Sequence, residues 1–503
     1  MELNRQAIHD KLNNLNIEHR CFVSGSFYDG KELDLFNKIS PIDGRELPGI
    51  GIADRELVNR AVSAARESYR NGKWARTKLS ERKQVLLKLA EKMSESRWEL
   101  ALLDTIETGR SVKNYYCDSI PKAIEVVRWF AEASDKYLDF ALPPQSSHSG
   151  TITREPLGVV AGITPWNDPL VPAMWKLAPA LLMGNSVIMK PAEESSYSLL
   201  KIAELLSKCG LPKGTLSVLT GTGEITGKLL ALHPEVDGVF FTGSSEVGKL
   251  ILQYSGQSNM KKVGLECGGK SPFIISKNCS NVKAAAETLA QNMFYNQGQI
   301  CSAPSLAFVH ESLREEFKVH LKTILPQFQP GDPLNPESNI GGVVSEQQRN
   351  RILTYVETGK KDQVEFYEPE PKTLAYPDQQ CVNPICFFDA PESHDLFKEE
   401  VFGPVLVVNS FSNLAEAVNS ANNTNFGLAA SIWTNDLNES YHVSRELRAG
   451  IVHINSYGQD DMSAPFGGIK QSGLGKDKSL FAFDEYTHLK TIWTEYPSSK
   501  SVL

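Results

Sequence analysis

Between residues 51 and 140 apolar side chains return every three or four positions, in ELVNRAVSAARESYR, SERKQVLLKLAEKMSESRWELALLDTIETG and SIPKAIEVVRWFAEASDKYL. That spacing predicts successive amphipathic helices behind a polar leader. From residue 151 the pattern changes to short apolar runs with helical segments between them. TITREPLGVVAGITPW, NSVIMKP, TLSVLTG, GVFFTGS and SPFIIS read as strands, and SSYSLLKIAELLSKCG reads as an intervening helix. Such alternation predicts βαβ units and a doubly wound parallel sheet, an α/β class, covered on both faces. A second α/β series starts near Gly268 and runs to about 465, and the tail YTHLKTIWTEY adds a last strand with no evident partner.

The chain has 503 residues, enough for about two to four domains, and its 41% hydrophobic and 22% charged residues are ordinary for a globular protein. A net charge of −8, with basic residues only in isolated pairs such as Lys261-Lys262 and Lys360-Lys361, gives no footprint for nucleic acid. The start, MELNRQAIHDKLNNLNIEHR, lacks an apolar core, so no secretory signal is expected. The longest apolar stretch, VPAMWKLAPALLMGNSVIM, is broken by Lys176, Asn185 and two prolines, so no membrane span is expected. Eight cysteines without a CxxC pair predict reduced thiols, no metal site and a cytoplasmic setting.

Several stretches carry candidate chemistry. In FYNQGQICSAPS, Cys301 follows a predicted helix stopped at 296–298 and precedes a predicted strand, SLAFVH. A short connection between rigid elements is where scaffolds hold reactive groups, although an isolated Cys is more often a buried apolar residue. LTGTGEITG misses the GxGxxG spacing by one place, leaving Gly223 and Gly227 as either a cofactor turn or a plain one. In FTGSSEVGKL a strand ending at Phe241 leads through Gly243 and Ser244 into a helix, which suits a pyrophosphate or simply a serine cap. Lys190 and Glu193 end another strand, where a carboxylate can bond ribose hydroxyls and repel a 2′-phosphate, favouring NAD over NADP. Asn167 could donate to an oxyanion, and Glu266, flanked by apolar residues, has the setting of a general base.

Taken in chain order, TPWN, MKPAEES, FTGSSEVG, LECGGKSP, FYNQGQICSA, EEVFGPV and PFGGIKQSGLG resemble the aldehyde dehydrogenase superfamily over essentially the whole length. Within it, SNMKKVGLECGGKS and NSYGQDDMSAPFGGIKQSGLGKDKS are most similar to the gamma-glutamyl-gamma-aminobutyraldehyde and amino-aldehyde (betaine aldehyde) branch. The resemblance implies an NAD-binding domain of residues 1–139 and 155–267, a catalytic domain of 268–466, and a small β oligomerisation arm of 140–154 and 485–503. It implies that Cys301 attacks the aldehyde, that Asn167 and the Cys301 N–H hold the oxyanion, and that Glu266 activates water to hydrolyse the thioester. Cofactor contacts would come from Ile163, Thr164, Pro165, Trp166 and Asn167 along one bend, and from Lys190 and Glu193 at the adenosine ribose. Gly223 and Gly227 would lie near the adenine, Phe241, Gly243, Ser244 and Val247 at the pyrophosphate, and Glu400 and Phe402 at the nicotinamide riboside.

Asp168 stands where relatives usually carry an aromatic or aliphatic residue, and Cys267 where Leu or Ala is commoner, the latter expected to pack. Asp168 with Asp460 and Asp461 would place three carboxylates at the aldehyde entrance, beside Trp175 and Phe466, and so favour cationic amino-aldehydes. As the start of Asp-Pro-Leu, Asp168 reads equally well as a helix cap. A betaine-aldehyde or broad-specificity enzyme is the nearest alternative. A coenzyme A-acylating enzyme or a non-catalytic binding protein of the same fold is more distant, since the first lacks the general-base Glu and the second has no reason to keep the site intact. A homodimer or homotetramer acting on a small aldehyde, without nucleic-acid or membrane partners, completes the expectation.

Overall fold

The computed structural model describes residues 4–30, 32–145 and 147–496. Its larger sheet has eight strands, five of them parallel and running through the centre in the order Lys262–Glu266, Gly238–Thr242, Val159–Ile163, Ser186–Lys190, Leu216–Val218. Chain order reverses between Val159–Ile163 and Gly238–Thr242, and a crevice opens beyond the carboxyl ends of strands at such a reversal. These strands are almost continuously apolar because helices cover both faces: Arg55–Arg70 packs on one side, Leu170–Leu182 on the other.

The second sheet has seven strands and is parallel except for its edge strand Glu365–Tyr367. The chain passes from the first sheet into the second through residues 267–271, between strand Lys262–Glu266 and strand Pro272–Ile275. The carboxyl ends of one sheet therefore face the amino ends of the other across a short connection, and the functional groups gather there.

The tail strand finds its partner in a three-stranded antiparallel sheet. Thr487–Glu495 pairs with His148–Pro156 over nine residues, from Thr487↔Pro156 to Glu495↔His148, and Phe140–Ala141 pairs on the far side. The run TITREPLGVVAGITPW, read as one strand, is two strands in two different sheets, His148–Pro156 and Val159–Ile163. Pro156 has no N–H to continue a ladder, and the Gly158 N–H is taken by the Asn185 side chain at 2.9 Å, so the chain turns here. Residues 497–503 of the expected arm lie outside the described residues. Among the described residues no helix is long and apolar enough to cross a membrane.

Candidate active site

Helix Val282–Phe294 stops because the next residues enter the left-handed region: Asn296 at φ 49°, Gln297 at 54° and Gly298 at 69°. Asn and Gln tolerate this at a cost of about 1 to 3 kcal/mol each, which the surroundings must offset. They do so with hydrogen bonds. Gln297 Oε1 accepts from the Val382 N–H at 2.9 Å, Gln299 Oε1 from the Val344 N–H at 3.0 Å, and the Tyr457 hydroxyl donates to the Ser302 carbonyl at 2.5 Å. Gly298 is required, since a Cβ there would lie 2.2 Å from the Gly403 carbonyl. The bend fixes Cys301, which is partly exposed, at the wall of a cavity of about 730 Å³.

The same cavity is lined by Asn167, Glu266, Glu400, Phe402, Trp166, Trp175, Asp168, Asp460, Asp461 and Phe466, and reaches Thr242, Gly243 and Ser244 at the sheet's reversal point. Asn167 clasps the cysteine bend: its amide donates to the Gln299 carbonyl at 2.9 Å, and its own carbonyl accepts from Asn296 Nδ2 at 3.1 Å. A second amide N–H remains for another acceptor.

Glu266, the last residue of its strand, is buried, and among the described residues its carboxylate oxygens make no hydrogen bond of normal geometry, although the Asp477 N–H lies close enough to pull the carboxyl down. Burial, then the nearby Asp477 charge, pushes its carboxyl well above the ordinary range, against the pull of Lys176 and Lys476. Lys176 Nζ and Asp477 form a buried ion pair of 2.9 Å beside it. The carboxyl stands over Gly467, where a Cβ would come within 2.3 Å of Oε1. Glu400 accepts from the Gly269 N–H at 2.9 Å, and burial raises its carboxyl to about 7. The Cys301 thiol is pushed up to about 12 by burial, then by Glu400 and Glu266. Gly269 lets this connection touch the cysteine bend, for a Cβ there would lie 2.7 Å from the Cys301 carbonyl.

On the cofactor side, Ser244 caps helix Ser245–Gln257 by accepting from the Val247 N–H at 3.2 Å, and the first turn of that helix is open to solvent. The serine is thus a cap, and it also stands beside bare N–H groups at a positive dipole end. A Cβ on Gly223 or Gly227 would meet nothing within 4 Å, but only Gly223 is exposed, Gly227 being buried in the helical turn. Glu193 meets Lys190 Nζ at 2.8 Å and the Gly223 N–H at 3.4 Å. Burial raises the Glu193 carboxyl, but these partners outweigh it and hold it below the usual value. Lys190, Glu193, Gly223, Gly227 and Val247 do not line the cavity, which ends at Thr242, Gly243 and Ser244. The bare helix start at Ser244 and the Glu193 carboxylate beside Gly223 nonetheless suit the phosphates and a ribose of a dinucleotide. The Phe241 ring is buried in the core against Gly243, so only its backbone is left to face a cofactor. Ile163 and Thr164 are buried likewise, leaving Pro165, Trp166 and Asn167 as the exposed part of their bend. The Trp166 ring meets Phe402 edge-on at 5.3 Å.

The three carboxylates expected at the entrance, Asp168, Asp460 and Asp461, do line the cavity, but two of them are matched by cations. Asp168 is paired with Arg110 at 3.1 Å and accepts from the Ser119 hydroxyl at 3.0 Å, and Asp460 is paired with Lys478. Asp168 is no helix cap either, since helix Leu170–Leu182 starts without a side-chain cap. Asp461 alone makes no ion pair among the described residues, its Oδ1 accepting from the Ser463 N–H and hydroxyl. Arg110 was missed from sequence. It is buried between the rings of Tyr115 and Tyr295, each centred 4.8 Å from its guanidinium, and Tyr295 donates to Asp118 at 2.8 Å. Its signal, ETGRSV after a helix, is only that of a helix end. Cys267 packs as expected, against Gly248. Among the described residues no group of three or more His, Cys, Asp or Glu side chains is placed to hold a metal.

Residues 27–492 match the Aldehyde dehydrogenase family. The chain is 40% identical to the NADP/NAD-dependent aldehyde dehydrogenase PuuC of Escherichia coli (strain K12), over 96% of this chain and 97% of that protein. It superimposes with a TM-score of 0.96 on an indole-3-acetaldehyde dehydrogenase solved with NAD+, at 40% identity, covering 98% of this chain and 100% of that one. It superimposes at 0.94 on gamma-glutamyl-gamma-aminobutyraldehyde dehydrogenase from Burkholderia cenocepacia J2315, at 41% identity, covering 98% and 99%. The chain belongs to the aldehyde dehydrogenase family. It is an NAD-dependent oxidoreductase acting on aldehydes.

Proposed function

We propose that Cys301 is the nucleophile, Asn167 the oxyanion donor and Glu266 the base in oxidation of an amino-aldehyde to its acid. The observation that carries this is the meeting of the three side chains in one cavity from three separate elements. The Cys301 thiol passes its proton to water in the cavity as its sulfur bonds to the aldehyde carbon, and the carbonyl electrons move onto oxygen. The free Asn167 N–H and the Cys301 N–H receive that oxyanion, a contact worth about 3 to 4 kcal/mol when removed. NAD, when bound, would supply the hydride acceptor here, and loss of hydride from the carbon would leave a thioester on Cys301. Glu266 takes a proton from water as it attacks that thioester, and the carbon–sulfur bond breaks to free the acid. Pro165, Trp166, Gly243, Ser244, Glu400 and Phe402 would hold the nicotinamide half, and Lys190, Glu193, Gly223, Gly227 and Val247 the adenosine half.

Glu193 supports a preference for NAD. Glu193→Gln is expected to narrow the ratio of kcat/KM for NAD over NADP by about tenfold, the loss of roughly 1.4 kcal/mol of repulsion and ribose bonding. Equal ratios in wild type and variant would show that Glu193 does not read the ribose.

The substrate reading rests on the rim and on the relatives. Asp118 with Lys122, Asp460 with Lys478, and Asp461 give the entrance both signs of charge. Such a rim suits a tail with an ammonium and a carboxylate, as in the compound named for the 41% identical Burkholderia enzyme. Asp461→Asn is expected to raise KM about two- to fivefold for a cationic amino-aldehyde and to leave a neutral isostere alone, the size of an exposed charge pair. Asp168→Asn should raise both KM values together, because its charge already serves Arg110. A selective effect at Asp168 with none at Asp461 would reverse these assignments. A second reading, an aryl acetaldehyde, is favoured by the Trp175–Phe466 contact at 5.2 Å within the cavity and by the indole-3-acetaldehyde enzyme. Comparing kcat/KM for gamma-glutamyl-aminobutyraldehyde, free aminobutyraldehyde and indole-3-acetaldehyde separates them, and the highest value for the indole substrate would overturn the amino-aldehyde reading.

The open edge of Thr487–Glu495, with Leu489 and Trp493 exposed, supports assembly into dimers or tetramers. Eight free thiols support a cytoplasmic setting.

A further inference from the structure

The turn that presents Glu193, residues 191–196, is held from behind by two elements outside the large sheet. Lys38 lies on strand Leu35–Ile39 of a two-stranded hairpin, and Glu107 on helix Arg97–Thr108. Both side chains are almost wholly buried, at 3% and 0% exposure, and they form an ion pair. The Lys38 ammonium also donates to the Glu193 carbonyl at 2.8 Å and sits 4.6 Å from the centre of the Tyr197 ring. The Glu107 carboxylate accepts from the Ser196 N–H at 2.9 Å and the Tyr197 N–H at 3.0 Å, which closes the start of helix Tyr197–Ser207. One buried pair thus grips the turn at both ends, at the Glu193 carbonyl and at the helix start that follows.

Burying two charges is costly, and replacing such a pair by apolar groups is often neutral or stabilising. Stability alone therefore gives little reason for an ammonium here. Its geometry gives one: an ammonium donates several hydrogen bonds from one atom, and here they run to a carboxylate and to the carbonyl of the cofactor-facing residue. We propose that Lys38 and Glu107 are a positioning pair that sets the place of Glu193 and through it the affinity and choice of dinucleotide. The proposal rests on the reading of Glu193 as the ribose-binding carboxylate.

Lys38→Met tests it, with Glu107→Gln as a milder second variant should the first fold poorly and Glu193→Gln as the control. The readouts are Kd for NAD by titration, KM for NAD and for aldehyde separately, and the ratio of kcat/KM for NAD over NADP. The expected result for Lys38→Met is about a tenfold rise in Kd and KM for NAD. The NAD preference should narrow in the direction of the Glu193→Gln change, with kcat at saturating NAD and KM for aldehyde within twofold of wild type. Glu107→Gln should move the same quantities less. If both variants lower thermal stability yet leave Kd for NAD and the cofactor ratio unchanged while Glu193→Gln alters them, the pair is structural only and the proposal falls. If Glu193→Gln leaves the ratio unchanged, the ribose reading falls and this proposal with it.

Discussion

Cys301→Ala is expected to abolish aldehyde oxidation, by on the order of 10⁴-fold or more in kcat, with Kd for NAD within about twofold of wild type. On the proposed mechanism the thiol is the reacting atom, and the hydrogen bonds of Ser244 and Glu193 run to Val247, Lys190 and Gly223 and not to the sulfur. The bend around it is held by Gln297, Gln299 and Tyr457 through bonds that do not involve the sulfur, so removing the sulfur leaves the wall standing. A parallel loss of NAD affinity would mean that the residue shapes the cofactor site instead. Residual oxidation within tenfold of wild type would mean that another group attacks the aldehyde.

Glu266→Gln is expected to give one burst of NADH per active site followed by a steady rate lower by about 10² to 10⁴-fold, the range of a lost general base. Gln keeps the shape of the side chain but cannot take a proton from water. The two groups beside the Glu266 carboxyl, Lys176 and Asp477, already bond each other and are not poised to replace it. A normal steady state after the burst would assign the water-activating role elsewhere, with Glu400, whose carboxyl is raised to about 7, as the next base in the cavity.

Much of the site was legible in the sequence because its signals are local. The stop at 296–298 follows from residues that accept the left-handed region, and the helix ends at Phe294, just ahead of them and of Cys301. The placing of Glu266 at a strand end, and of Asn167 after another, follows from apolar runs that break at polar residues. What the sequence hid depends on distant partners. The tail strand pairs with residues more than three hundred positions away, and no local pattern names that partner, which only the family resemblance supplied as an arm of 140–154 and 485–503. The single apolar run at 151–166 divides between two sheets at Pro156, a choice made by the ladders each half joins. The charge of the entrance was misjudged for the same reason: Asp168 and Asp460 can be read from the sequence, whereas Arg110 and Lys478 become their partners only in three dimensions.

The central claim is that a covalent acyl group passes through Cys301 and that Glu266 releases it. Mass spectrometry of Glu266→Gln, mixed with NAD and the aldehyde it oxidises fastest and quenched in acid after the burst, tests this most directly. One acyl group per chain, on the peptide that contains Cys301, is the predicted result. An unmodified Cys301 peptide, or an acyl group on any other residue, would contradict the account.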